Sequence, residues 1–282
     1  MIYVIASVVM SVLVSVLLKL APARRVDIGQ AVAWNYLIAG AATVLLLQPD
    51  WTRLASAAVP WLAVAVLGVL LPTIFLALAA SVRHAGIVRS DAAQRLSLVL
   101  PLVAAFAWFG ETLTPLKLGA CALGLLALLG MLWRDAGRRG TASGRAGWLW
   151  PLLVFCGFGV IDILFKRVAA AGLPLASSLT LIFALALLVA MGLVLARRAR
   201  FTARSLLAGV LLGLLNFGNI YFYLKAHRAL PQNPSLVFAG MNLGVVVLGA
   251  VVGLLLFRER LSRLNLAALA LALLAIGLLT RG

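Results

Sequence analysis

Hydrophobic residues in this chain come in long runs, broken every 25 to 30 residues by short stretches that collect arginine, glycine, proline and the few acids. Ten runs approach the roughly 20 residues that an α-helix, rising about 1.5 Å per residue, needs to cross bilayer hydrocarbon. They extend from Ile2 to Leu18, Gln30 to Leu47, Val59 to Ala80, Ser90 to Phe109, Leu116 to Trp133, Trp148 to Phe165, Leu175 to Leu195, Ser205 to Leu224, Ser235 to Phe257 and Leu264 to Thr280. Unpaired backbone is costly in hydrocarbon, so each run is expected to be a helix and no strand is required.

The most loop-like connection is 134–147, where Gly137, Arg138, Arg139, Gly140, Ser143, Gly144 and Arg145 concentrate chain breakers and charge. It separates five runs in 1–133 from five in 148–282. At a shift of 148 residues, Phe109, Glu111 and Leu113 fall on Phe257, Glu259 and Leu261, and at 147 Lys19 falls on Lys166. Leucine matches between apolar helices arise by chance, so the weight rests on Phe-x-Glu-x-Leu followed by a helix in both halves. A five-helix unit has an odd number of spans, so two copies must enter the membrane from opposite sides. The expected fold class is an all-α integral membrane protein, ten transmembrane helices in two inverted five-helix repeats. That architecture commonly gives alternating access to a solute site near the midplane.

Composition points the same way. Of the 282 residues 65% are hydrophobic and 11% charged, against about a quarter charged in a soluble domain. The formal net charge of +17 raises the question of nucleic acid. The basic residues, however, sit in clusters between apolar runs rather than on a stripe with interleaved aromatics, and nucleic acid is not an expected partner. Loops after the odd-numbered runs hold 17 of the 24 Lys and Arg. By the positive-inside rule that side is cytoplasmic, so both termini are expected outside the cytoplasm, in an inner membrane. Ala21-Pro22-Ala23 imitates a signal-peptidase site, but no basic stretch precedes the first run, and a retained helix is expected. Cys121 and Cys156 lie inside apolar runs and read as small hydrophobic filler.

The segment Phe109-Gly-Glu-Thr-Leu-Thr with Leu118-Gly-Ala resembles the hallmark of the drug/metabolite transporter superfamily, in its EamA-type ten-helix branch. Phe257-Arg-Glu-Arg-Leu-Ser resembles it as closely, and Lys19, Leu98 to Pro101 and Tyr223-Leu-Lys-Ala-His-Arg match further pieces. The resemblance implies export or exchange of amino acids, metabolites or drugs from a cavity between repeats. It also implies cytoplasmic termini for many members. The basic-residue distribution of this chain points the other way, and the distribution is followed.

A charged side chain at membrane depth costs roughly 3 kcal/mol on insertion scales, so each calls for a partner or a role. Asp162 is the deepest acid, with Lys166 one turn on. The two either neutralise each other or line a cavity, where Asp162 binds a substrate ammonium or a coupling proton. Lys19 either snorkels to membrane lipid or meets a substrate carboxylate. Asp91 and Arg95 have ion-pair spacing, while Gln94 falls on Asn242 at the 148-residue shift, giving amides at matching points of both repeats. Asn35 and Tyr36 in the second run, and Asn216, Asn219 and Tyr223 in the eighth, complete the embedded polar set. Asn216, Asn219 and Tyr223 share a helical face, which is either a hydrogen-bond seam or the cavity wall.

Glu111 and Glu259 read as helix-positioning groups. Gly157 and Gly159, and the small-residue steps Gly240 to Gly244 and Gly249 to Gly253, suggest close helix packing, and Pro72 and Pro101 suggest kinks. His84 and His227 stand at run ends without ligand-spaced partners, and no nucleotide-binding, hydrolase or zinc-protease motif is present, so no enzyme activity, cofactor or metal is expected. The function expected is secondary transport of a small polar organic solute. The alternative is a flippase or non-transporting membrane protein acting on a lipid-linked substrate.

Overall fold

The computed structural model describes residues 1–21, 24–52, 59–85, 87–132, 146–171, 174–198, 200–256 and 263–281. These include eleven helices, and no strand occurs among them: α1 (Ile2–Leu20), α2 (Ile28–Leu47), α3 (Trp61–Ala85), α4 (Ile87–Leu96), α5 (Val99–Ala107), α6 (Pro115–Leu132), α7 (Ala146–Ala170), α8 (Leu175–Ala196), α9 (Ala203–Ala229), α10 (Pro234–Leu256) and α11 (Arg263–Leu279). Six are long and apolar enough to cross a membrane, lying within α2, α3 and α7 to α10. Shorter apolar helical stretches occur at Ile2–Leu18, Ala93–Ala107, Pro115–Gly130 and Leu266–Leu279. Large leucines such as Leu45, Leu62, Leu188 and Leu207 stand exposed. Apolar side chains on outer surfaces as well as inside are what lipid solvates, and the chain has the features of a multi-pass membrane protein.

The fourth run differs from its expected single helix. It is divided at Ser97 and Leu98 into α4 and α5. Pro101 explains the break, since it has no N–H for the Ser97 carbonyl and its ring crowds that oxygen. The Ser97 carbonyl is taken instead by the Leu100 N–H at 3.0 Å. The Ser97 hydroxyl donates to the Gln94 carbonyl at 2.6 Å. Pro101 thus opens a helix rather than kinking one, whereas Pro72 lies inside α3.

The chain forms two compact units, each drawing on both halves of the sequence. The first comprises Met1–Leu76 and Leu164–Ala229. In it α2 lies along α9 and α8, and α1 along α9. Glycines set how closely α2 and α9 approach. A Cβ on Gly209 would collide with the Trp34 Cβ, and one on Gly213 would sit 2.7 Å from the Asn35 carbonyl. Asp27 caps α2 by accepting the Gln30 N–H at 3.0 Å, and its own N–H donates to Ser205 Oγ at 3.0 Å. Gln30 completes the clasp: its Nε2 donates to the Arg200 carbonyl at 2.7 Å and its Oε1 accepts the Thr202 N–H at 3.1 Å.

The second unit comprises Ala77–Ile163 and Leu230–Gly282. Here α6 lies along α11, α10 contacts α5, α6 and α11, and α4 contacts α6. Leu100 of α5 packs into the space left by Gly159 of α7, where a Cβ would fall 2.5 Å from its Cδ1. Among the described residues, nothing lies within 4 Å of a Cβ on Gly249 of α10.

Candidate functional site

In the first unit, polar groups gather where the ends of α7 and α9 meet. Phe165 presents its ring edge-on to Tyr223, centroids 6.3 Å apart, and Tyr223 stands edge-on to His227 at 4.7 Å. Tyr223 and His227 are one turn apart on α9, so they share a face. Lys166 follows Phe165, is only 4% exposed, and lies within electrostatic reach of His227. An ammonium, an imidazole and a phenol are therefore brought into one buried region. Lys166 and Tyr223 are among the residues expected from the sequence. His227 is not, since it stands at a run end, although its spacing of four from Tyr223 is a signal that could have found it.

Further along α9, Asn219 belongs to a seam with α1. The Ser7 hydroxyl is shared between the Asn219 carbonyl at 3.0 Å and its Oδ1 at 2.7 Å. Asn216, one turn earlier, is buried. On α2, the Trp34 Nε1, both polar atoms of Asn35 and the Tyr36 hydroxyl are buried with no hydrogen-bond partner among the described residues. Consecutive helical residues point about 100° apart, so these three do not converge. Trp34 lies edge-on to Phe201 at 5.9 Å, and Tyr36 lies beside Phe183 at 6.3 Å. Lys19 belongs to α1 by its backbone, and its side chain lies outside the described residues.

The remaining expected residues belong to the second unit. Asp162 on α7 and Gln94 on α4 are half-buried. Asn242 on α10 is half-buried too, and commits one N–H to the Phe238 carbonyl of its own helix at 3.0 Å. Glu111 is buried and its carboxylate meets the Lys117 ammonium at 3.1 Å, while Lys117 also donates to Asn233 Oδ1 at 2.9 Å. The same carboxylate accepts from Ser235 at the start of α10. Glu111 thus positions a helix, as expected, but the helix is α10 rather than the α6 that follows it. Glu259, onto which it falls at the 148-residue shift, lies outside the described residues. The side chain of Asp91 does too. His84 stacks on Trp150 at 6.2 Å. Among the described residues no three of His, Cys, Asp and Glu gather closely enough to hold a metal ion.

No family model matches the chain. A protein of known crystal structure superposes with a TM-score of 0.69 at 19% identity, over 99% of this chain and 96% of that one, which shows a shared fold. A protein of Haemophilus influenzae, described as uncharacterized, is 42% identical over 269 residues, spanning 93% of this chain and 91% of its own. With that identity held over nearly the full length of both, this chain belongs to the same family as the Haemophilus influenzae protein.

Proposed function

We propose that this protein is a secondary transporter, an exporter or exchanger of a small polar organic solute such as an amino acid, working by alternating access. In this reading ten transmembrane helices form two inverted repeats in a bacterial inner membrane, with the termini outside the cytoplasm. The observation that carries it is the burial of Lys166, Tyr223 and His227 together, on helices apolar enough to cross a bilayer. A buried ammonium on such a helix is retained where it meets a solute, an ion or a partner. A solute carboxylate is the natural complement of an ammonium flanked by a phenol and an imidazole.

The polar atoms of Asn35 and Tyr36, buried and without a hydrogen-bond partner among the described residues, support the same class. Each costs about 1–3 kcal/mol when left unsatisfied, a cost that an apolar replacement in a purely structural core would avoid. Asp162, elsewhere on α7, is the proposed carrier of a coupling proton. The resemblance of Phe109-Gly-Glu-Thr-Leu-Thr and its second copy to the drug/metabolite transporters adds support from the sequence.

A thermal-shift screen of the purified protein tests the substrate class. Amino acids and other small carboxylates are compared with amines, neutral sugars and lipid-linked sugars. A binding solute at 100 times its Kd stabilises by about 2.7 kcal/mol. A carboxylate-bearing solute is expected to raise Tm in the native protein and not in Lys166→Met. If only lipid-linked sugars shift it, a flippase replaces this reading.

A further inference from the structure

The first unit holds a groove unrelated to the buried cluster. It has a volume of about 640 Å³ and is walled by the end of α1, the chain just beyond it and the start of α9. Its walls are apolar, with Leu17 and Leu20 on one side and Leu207 and Leu211 on the other. Two guanidiniums, Arg24 and Arg204, line it as well, and no acidic residue does. Both arginines are exposed, and neither makes an ion pair or side-chain hydrogen bond among the described residues. Arg24 lies shortly beyond the end of α1 at Leu20, and Arg204 lies in the first turn of α9, so each guanidinium stands near an end of an apolar helix.

We propose that this groove is a binding site for an anionic glycerophospholipid, with an acyl chain against the leucines and the phosphate between Arg24 and Arg204. Charge complementarity selects the occupant. A zwitterionic lipid would place a second cation beside two guanidiniums, whereas an anionic headgroup supplies the missing negative charge. Guanidinium is suited to the contact because its planar donors match phosphate oxygens in pairs. The leucine walls set the source of the phosphate, since a free anion would leave them without apolar contact. The site does not depend on the transport reading: it lies at the start of α9, whereas Tyr223 and His227 lie near its end, and it concerns a ligand that stays bound.

The test is native mass spectrometry of delipidated, detergent-purified full-length protein titrated with dioleoyl phosphatidylglycerol or dioleoyl phosphatidylcholine. Phosphatidylglycerol is expected to be retained in preference. Arg24→Ala with Arg204→Ala is expected to weaken it roughly thirtyfold, about fivefold for each charge near an anionic headgroup. Leu207→Trp, which fills the groove without touching charge, is expected to reduce binding as well. Melting temperatures near the native value show that these variants fold. Equal retention of the two lipids, unchanged binding by the double arginine variant, or displacement of the lipid by millimolar inorganic phosphate overturns the proposal.

Discussion

Glu111 and Ser235 are joined by two hydrogen bonds, the Ser235 N–H donating to Oε2 at 2.8 Å and its hydroxyl to Oε1 at 2.5 Å. The carboxylate therefore sits at the N-terminus of α10, where unpaired backbone N–H groups and the helix dipole favour negative charge. Lys117 neutralises it from the first turn of α6. The glutamate of the Phe-x-Glu-x-Leu signature thus acts structurally, tying the start of α6 to the start of α10, two helices far apart in sequence.

Removing one member of a buried ion pair leaves the other uncompensated, at a cost of about 3–5 kcal/mol. Glu111→Gln is expected to lower the melting temperature of the detergent-solubilised protein sharply, and a companion Lys117→Met is expected to recover much of the loss. A single variant that melts with the native protein would show that the pair contributes nothing.

Gly209 and Gly192 provide a packing test within the first unit. Alanine at 209 places a methyl group against Trp34 and the Ala31 carbonyl, whereas among the described residues nothing stands within 4 Å at 192. Overpacking typically costs about 1–3 kcal/mol, while an open helical glycine replaced by alanine gains up to about 1 kcal/mol. Gly209→Ala should therefore melt lower and Gly192→Ala at or above the native temperature. The reverse order would mean that α2 and α9 are not packed through this contact.

The apolar runs make the helices legible, because membrane crossing ties length and hydropathy directly to helical structure. Two features are less so. The division of the fourth run hangs on one residue, Pro101, whose effect depends on whether its ring falls in a helix interior or a first turn; the sequence allows both. The site is legible by residue type but not by grouping. Lys166, Asn35 and Tyr223 stand out as polar groups in apolar runs, yet their assortment with Asn216 and Asn219 in one unit, and of Gln94, Asp162 and Asn242 in the other, depends on tertiary packing. His227 is set aside in the sequence because its place at a run end, without ligand-spaced partners, outweighs its helical spacing from Tyr223.

Gln94 falls on Asn242 at the 148-residue shift, and both are half-buried in the second unit. Single cysteines at these positions, in a background lacking Cys121 and Cys156, are expected to react with small aqueous thiol reagents and to be protected by a transported solute. Two inert thiols would remove these amides from an aqueous path.

The distribution of basic residues predicts that both termini lie outside the cytoplasm. A phosphatase fused after Gly282 should be active in the periplasm, and a fluorescent protein at the same place dark. Bright cytoplasmic fluorescence without phosphatase activity would reverse the orientation.

The most direct test of the central claim is solute release from proteoliposomes of the purified protein loaded with a defined mixture of amino acids and other small carboxylates, followed by mass spectrometry. The native protein is predicted to release one carboxylate-bearing solute well above the rate of protein-free vesicles. Lys166→Met is predicted to slow release at least about a hundredfold while remaining folded, a loss of about 2.7 kcal/mol of stabilisation. Asp162→Asn is predicted to abolish the dependence of release on a proton gradient. No selective release by the native protein, or release by Lys166→Met at the native rate, would contradict the account.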